Sequence, residues 1–466
     1  MALLYDMAAK NSIDMLQGAL ARPMLRFAMP LIASGILQQS FNSVDVAVVG
    51  RFAGSDALAA VGSNGPVIGL IINLFLGLSV GANVVIANYI GQRNSRGVRQ
   101  AVHAAALLAI LSGIIMCTSA QLIARPILEA LDTPESCLDQ AVLYLRIIGV
   151  GMPFMIVYNF GAAILRSVGD TRRPFYSLVV AGIINVCLNV VFVVGFGMGV
   201  EGVAWATVIS NIANAAIITR LLMRERSDIR LEPHRLLSPS REVLKICAVG
   251  IPAGVQSTVF SISNVFILSA INSFGVIAAA GSAAALNYEI YCYFVINAFG
   301  QTCVAFTSQN FGAGRYDRCR RVLLISLVYS TTISVVLNAG ITWQRDFFLS
   351  AFTSETDVLF FAGERVASVL LFQFVACYYE MAGSAMRGLG YSMTPALITI
   401  FGTCVLRLVW VGLFPADGSF AALLAIYPVS WLLTDICMAL AARVIHHRLT
   451  PKAENTSNAE VSDLAV

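Results

Sequence analysis

Long apolar stretches alternate with short polar breaks along the whole chain. Runs long enough to cross a bilayer, about 20 residues each, fall near 24–49, 57–88, 99–123, 137–165, 175–198 and 201–223. After a charged stretch from Arg224 to Glu242 they resume near 243–273, 276–309, 319–343, 358–386, 392–414 and 420–445. The pattern predicts six membrane-spanning helices on each side of the charged stretch. It divides the chain into a short inner N-terminal helix (1–22), a first lobe (23–223), a linker (224–242), a second lobe (243–446) and a tail (447–466). The tail, which includes KAENTSNAE, has too little apolar material to fold and is expected to be disordered.

A second pattern lies over the first. YNFGAAILRSVGDTRRP, from Tyr158 to Pro174, has an echo in YYEMAGSAMRGLGYSMTP, from Tyr378 to Pro395. Tyr158 and Tyr379, Arg166 and Arg387, Gly169 and Gly390, Pro174 and Pro395, and Gly91 and Gly312 are all 221 residues apart. Apolar composition alone would not hold Arg, Gly and Pro at one offset, so the halves read as a duplication of the kind transporters use. With an even number of spans per half, both halves enter the membrane from the same side.

Composition places these helices in a membrane. Hydrophobic residues make up 58% of the chain and charged ones 12%, with mean hydropathy +0.78, whereas soluble domains carry about 25% charged residues. The fold class is therefore an all-α integral membrane protein. A net charge of +4 is too small to imply nucleic-acid binding. Asp6, Lys10 and Asp14 interrupt the N-terminal segment, which does not read as a signal peptide. The ten cysteines show no C-x-x-C pair and no histidine spacing that would hold a metal. With the N-terminus inside, 24 of the 30 lysines and arginines face the cytoplasm. Only Arg51, Arg125, Arg345 and Arg365 are outside, with Arg146 and Arg407 within spans. By the positive-inside rule both termini are cytoplasmic, in the plasma (inner) membrane.

Ionisable groups inside spans cost about 2.5–3.5 kcal/mol each and are functional candidates for that reason. Asp45, Glu289, Glu380, Asp435, Arg146 and Arg407 are the set. Arg146 and Asp435 read more readily as interhelical pairing or interface groups. Asp45 shares a helical face with Gln38 and Asn42, a hydrated stripe suited to a cavity. Asn185 and Asn189 lie one turn apart, and such amides either ligate a cation or pack helices by hydrogen bonding. Asn159 falls 221 residues before Glu380, giving the halves a neutral and an acidic group at matched places. Tyr288, Tyr291, Tyr293, Tyr378 and Tyr379 surround the two glutamates, either as a cation-binding wall or as core packing. Pro30 and Pro252, at near-equivalent places in the first span of each half, allow that span to bend. No P-loop, H-E-x-x-H or G-x-S-x-G motif is present, so an enzyme is not expected and work must come from an ion gradient.

These residues resemble the multidrug and toxic compound extrusion (MATE) family. The matching pieces are P-L-I-A…S-V-D-V-A-V-V-G-R (Pro30 to Arg51), A-L-A-A-V-G (Ala57 to Gly62), L-R-S-V-G-D-T-R-R-P (Leu165 to Pro174), N-V-C-L-N-V-V-F (Asn185 to Phe192), G-V-E-G-V-A-W-A-T (Gly199 to Thr207) and S-Q-N-F-G-A-G-R (Ser308 to Arg315). The resemblance implies twelve transmembrane helices in two pseudo-symmetric six-helix lobes around a central cavity. It also implies rocking exchange of H⁺ or Na⁺ for cationic, amphiphilic small molecules, with Asp45, Asn185 and Asn189 at the coupling ion. The expected substrate cavity takes in Gln38, Asn42, Asn159, Glu289, Glu380, Tyr288 and Tyr379. In one respect the chain departs from the family: where some members have an acid in the first span of the second lobe, this span carries only Gln256 and Asn264. A monomer in contact with lipid, without a cofactor, is expected. The alternatives are a lipid-linked saccharide flippase of the same superfamily, which calls for more cavity cations, and a receptor or scaffold that does not transport.

Overall fold

The computed structural model describes residues 13–131, 133–236, 241–350, 355–414 and 418–463, and among these there is no strand. The first half forms α1 (Ala21–Phe52), α2 (Ser55–Gly91), α3 (Ser95–Ala130), α4 (Glu135–Ser167), α5 (Arg172–Gly195) and α6 (Val200–Met223). The second forms α7 (Glu242–Asn272), α8 (Val276–Gly312), α9 (Tyr316–Trp343), α10 (Thr356–Gly388), α11 (Met393–Leu413) and α12, which spans the membrane over Phe420–Ile445. Eleven of these are long and apolar enough to cross a bilayer. The twelfth, α1, has the length at 32 residues, but Gln38, Gln39, Asn42 and Asp45 make it the most polar of the set. Of the expected N-terminal helix, residues 1–12 lie outside the described residues, and residues 13–20 follow a bent course. At the other end α12 continues to Asp463, over a tail expected to be disordered. A helix already nucleated in the membrane extends at one hydrogen bond per residue, and the polar composition of the tail does not prevent that.

The duplication is visible in the backbone. Left-handed residues recur at the same offset: Gly54 and Gly275 (φ 90° and 96°), Arg93 and Gly314 (φ 54° and 71°), Gly169 and Gly390 (both φ 89°). Each pair sits at a helix boundary, so the two copies turn in the same way even where the residue differs.

The chain forms two compact units, one of Met29–Thr258 and one of Met15–Ala28 with Val259 onward. The boundaries therefore pass through α1, beside Pro30, and through α7, not through the linker. Glycine explains the second crossing: a Cβ on Gly77 of α2 would lie 2.1 Å from the Gly254 nitrogen of α7. Without side chains there the two backbones meet, and the first half of α7 packs with the first unit. In that unit α4 is central, against α2, α3 and α6. The buried face of α3 is a column of small and apolar residues (Val98, Ala101, Val102, Ala105, Leu108, Ala109), while Ile114, Ile115 and Leu122 are exposed, as a lipid-facing surface requires. In the second unit α8 packs on α9 and α10, and α12 on α10 and α11.

Among the described residues, π-helical turns replace regular α-helix in three places. They occupy Val190–Gly195 of α5, Val366–Leu370 of α10 and Ile400–Val405 of α11. Such turns concentrate where a side chain must be presented out of register, and each adjoins a polar group described below.

Candidate functional site

The site of the first unit begins with a crossing. A Cβ on Gly182 would lie 1.7 Å from the Phe41 ring, so α1 and α5 meet at a depth only glycine permits. Asp45 is one turn beyond Phe41; Asn185 and Asn189 are one and two turns beyond Gly182. The crossing brings these three side chains together.

They join in a closed ring with Thr207 of α6. Asn189 Nδ2 donates to Asp45 Oδ1 at 2.5 Å and to Asn185 Oδ1 at 3.3 Å. Asn185 Nδ2 donates to Thr207 Oγ1 at 3.3 Å, and the Thr207 hydroxyl donates to Asp45 Oδ2 at 3.5 Å. Asn185 and Asn189 are buried and Asp45 is half-buried. Asn189 Oδ1 finds no donor among the described residues. The π-helical turns of α5 start at Val190, immediately after it. One carboxylate, two amides and a hydroxyl thus converge, with the buried Asn189 amide oxygen unused. Hard cations and protons are held by such oxygen-rich sets, and an amide can turn to offer either its oxygen or its NH₂.

The remaining first-half candidates stand apart. Gln38 and Asn42 are exposed on α1. Asn159 donates to the Met155 carbonyl of its own helix at 2.9 Å. Arg146 is exposed on α4, consistent with an interface group.

In the second unit the two glutamates part company. Glu289 is buried and paired bidentately with Arg365, Nε to Oε1 at 2.6 Å and Nη2 to Oε2 at 2.9 Å. Arg365 also donates to Ser282 Oγ at 2.6 Å. Counted outside in the sequence, Arg365 is only 3% exposed and lies in α10, at the start of its π-helical turns. A buried carboxylate matched by a guanidinium in this way has its charge already answered. Glu380 is half-buried; among the described residues it accepts one long bond, from the Tyr293 hydroxyl at 3.4 Å, and it feels the charge of Arg387 two turns along α10. The expected tyrosine wall is dispersed: the Tyr288 hydroxyl donates to the Phe348 carbonyl at 2.7 Å, and the Tyr379 side chain is buried in the core. Asp435 accepts from the Tyr379 backbone nitrogen at 2.8 Å. Because α10 restarts as an α-helix at Ala376, Asp435 serves there as an end cap supplied by α12. Thr207, the Arg365 pairing and this cap had no sequence signal, since each depends on which helices touch.

Known proteins show the same halves. A family profile described as MatE matches residues 30–191 and 252–411, one stretch in each copy. The chain belongs to the MatE family. It is 29% identical over 387 residues to the probable multidrug resistance protein YoeA of Bacillus subtilis, covering 82% of this chain and 84% of that one. It is 27% identical over 400 residues to the probable multidrug resistance protein NorM of Thermotoga maritima, covering 83% and 84%. An FAD transporter of Shewanella oneidensis is 24% identical over 451 residues, covering 93% and 97%. Among solved structures, an outward-facing multidrug resistance MATE family transporter of the MOP superfamily superposes with a TM-score of 0.88 at 22% identity, covering 94% of this chain and 99% of that one. A MOP superfamily transporter from Pyrococcus furiosus gives the same score and identity, with 94% and 98% covered. The fold of this MatE chain is thus the twelve-helix fold of those transporters.

Proposed function

We propose that the protein is a secondary-active antiporter that exports cationic, amphiphilic compounds in exchange for H⁺ or Na⁺ taken up at Asp45. The Asp45 ring carries this reading. A carboxylate withdrawn from water needs a counter-charge, and either ion supplies one. Asn189 and Asn185 answer the change by turning their amides: NH₂ toward an empty carboxylate, oxygen toward a bound cation. The unused Asn189 Oδ1 is the oxygen such a turn would bring in. The relatives named as multidrug resistance proteins support the cargo class. Of the two second-unit glutamates, Glu289 is held in a bidentate pair by Arg365, whereas Glu380 feels the charge of Arg387 without a direct pair, which leaves it the better placed to meet a cationic cargo. Both termini and the linker are cytoplasmic in this reading, as the split of basic residues favours, 24 inside to 3 outside once Arg365 is placed within α10.

Antiport through one site sets a limit. A charge crossing about 100 mV yields about 2.3 kcal/mol, which sustains about a 50-fold cargo gradient. The deciding experiment is efflux of a cationic dye from proteoliposomes under separately imposed H⁺ and Na⁺ gradients. One of them should drive export; accumulation that persists with both gradients and the potential collapsed would refute the reading.

A further inference from the structure

Among the described residues Arg407 is the largest fully buried side chain, at 0% exposure. Its partners are neutral: Nε donates to Ser430 Oγ at 3.2 Å and Nη1 to Asn264 Oδ1 at 3.1 Å. The rings of Tyr427, Phe260 and Trp431 surround it, with centroids 4.4, 5.3 and 5.9 Å from the guanidinium carbon. Among the described residues no carboxylate pairs with it and Nη2 has no acceptor. One turn further along α11, the buried Trp410 Nε1 also lacks an acceptor.

The neighbouring arginine shows what is missing. Arg365 lies 5.5 Å from the centroid of the same Tyr427 ring and is equally enclosed, yet it has Glu289 across a bidentate pair. Aromatic faces stabilise a guanidinium above and below its plane, but they leave its in-plane N–H groups to find acceptors. A buried cation with an idle donor, and a second idle donor one turn along the same helix, make a site short of an anion.

Its place in the fold is equally informative. Asn264, Arg407 and Ser430 stand on α7, α11 and α12, the copies of the helices α1, α5 and α6 that hold Asp45, Asn185, Asn189 and Thr207. At the 221-residue offset, Arg407 answers to position 186, between the two asparagines. An open pocket of about 410 Å³ in the second unit is lined by residues that include Ser269, Ser273, Phe414 and Val411, the last one turn along α11 from Arg407, which does not itself line it.

We propose that Arg407 and Trp410 form an oxyanion subsite for cargo, taking a carboxylate or phosphate group of the transported molecule. Cargo would then include zwitterions, the cationic end drawn to Glu380 and the anionic end to Arg407. This rests on the transporter reading, but equilibrium binding tests it without transport.

The probes are rhodamine B, which has a free carboxylate, and its ethyl ester, bound to purified protein in nanodiscs. Wild type should bind the acid at least about tenfold more tightly than the ester, the ratio expected of one charge-assisted hydrogen bond. Arg407→Gln should erase that preference while leaving ester binding within about twofold, and Arg407→Lys should restore part of it. Inorganic phosphate should displace the acid and not the ester from wild type, a measurement that needs no variant if Arg407→Gln fails to reach the membrane. Equal binding of acid and ester to wild type overturns the proposal, as does a preference that survives in Arg407→Gln. Phosphate binding without any preference between the dyes assigns the site to a free ion and overturns its role toward cargo. Loss of gradient-driven efflux with the preference intact would count against the antiport reading alone.

Discussion

The two copies use the same three helices in opposite ways. In the first, α1, α5 and α6 gather a carboxylate, two amides and a hydroxyl into one hydrogen-bonded ring, the proposed place of a positive ion. In the second, α7, α11 and α12 gather an asparagine, a serine and three aromatic rings around a positive ion that is already part of the chain. Even the acids of the second copy follow this division: Glu289 is taken by Arg365 and Asp435 by the amide of Tyr379, leaving Glu380 with one long hydrogen bond. Duplication preserved the framework and left the sign of the charge to vary. Under the proposed mechanism ion coupling then belongs to one copy only.

The largest effect that would sharpen this contrast is at Asp45. Asp45→Asn is expected to reduce gradient-driven efflux to the leak of protein-free vesicles while cationic dye still binds; efflux near the wild-type rate would break the contrast outright. Next comes the buried pair. Glu289→Gln should cost about 3–5 kcal/mol of stability, because it strands Arg365 without a counter-charge, and Glu289→Gln with Arg365→Met should regain most of it. Thermal unfolding in detergent measures both, and a stable, merely cargo-impaired Glu289→Gln would return Glu289 to the cavity. A smaller change is expected at Glu380, where Glu380→Gln should weaken a cationic dye by about tenfold, roughly 1.4 kcal/mol, and a neutral dye hardly at all. Equal loss of both dyes would show a packing role. The smallest concerns the turns: Arg93→Gly should stabilise the first copy by about 1 kcal/mol, since only glycine adopts φ 54° without strain. Unchanged unfolding would mean that Arg93 makes compensating contacts.

What could be read from the sequence was what local patterning controls. Twelve spans, the duplication and the singling out of Asp45 follow from apolar length, a constant offset and a polar residue out of place in a membrane, while the grouping of Asp45 with Asn185 and Asn189 came from the resemblance to the MATE family. What could not be read depends on which helix faces meet. Thr207 sits in an apolar run where a single threonine carries no signal, and it joins the ring only because α6 packs beside α5. Glu289 looked like Glu380, an acid among tyrosines, until α10 placed Arg365 against it 76 residues later in the chain. Tyr379 was expected to face cargo, but its turn of helix points into the core. The lobe boundary looked like the charged linker, whereas Gly77 and Gly254 allow α7 to pack its first half with the earlier unit.

The matched left-handed turns also say something about ancestry. At one of the three places Arg93 stands in one copy and Gly314 in the other, yet both backbones have the same uncommon conformation. Side chains there have changed since the copies separated, and the path of the chain has not. Features common to both halves descend from the single ancestral gene, whereas Asp45 and Arg407 have no like-charged counterpart and record later divergence. The turns are older than the duplication, and the difference in charge between the copies is younger.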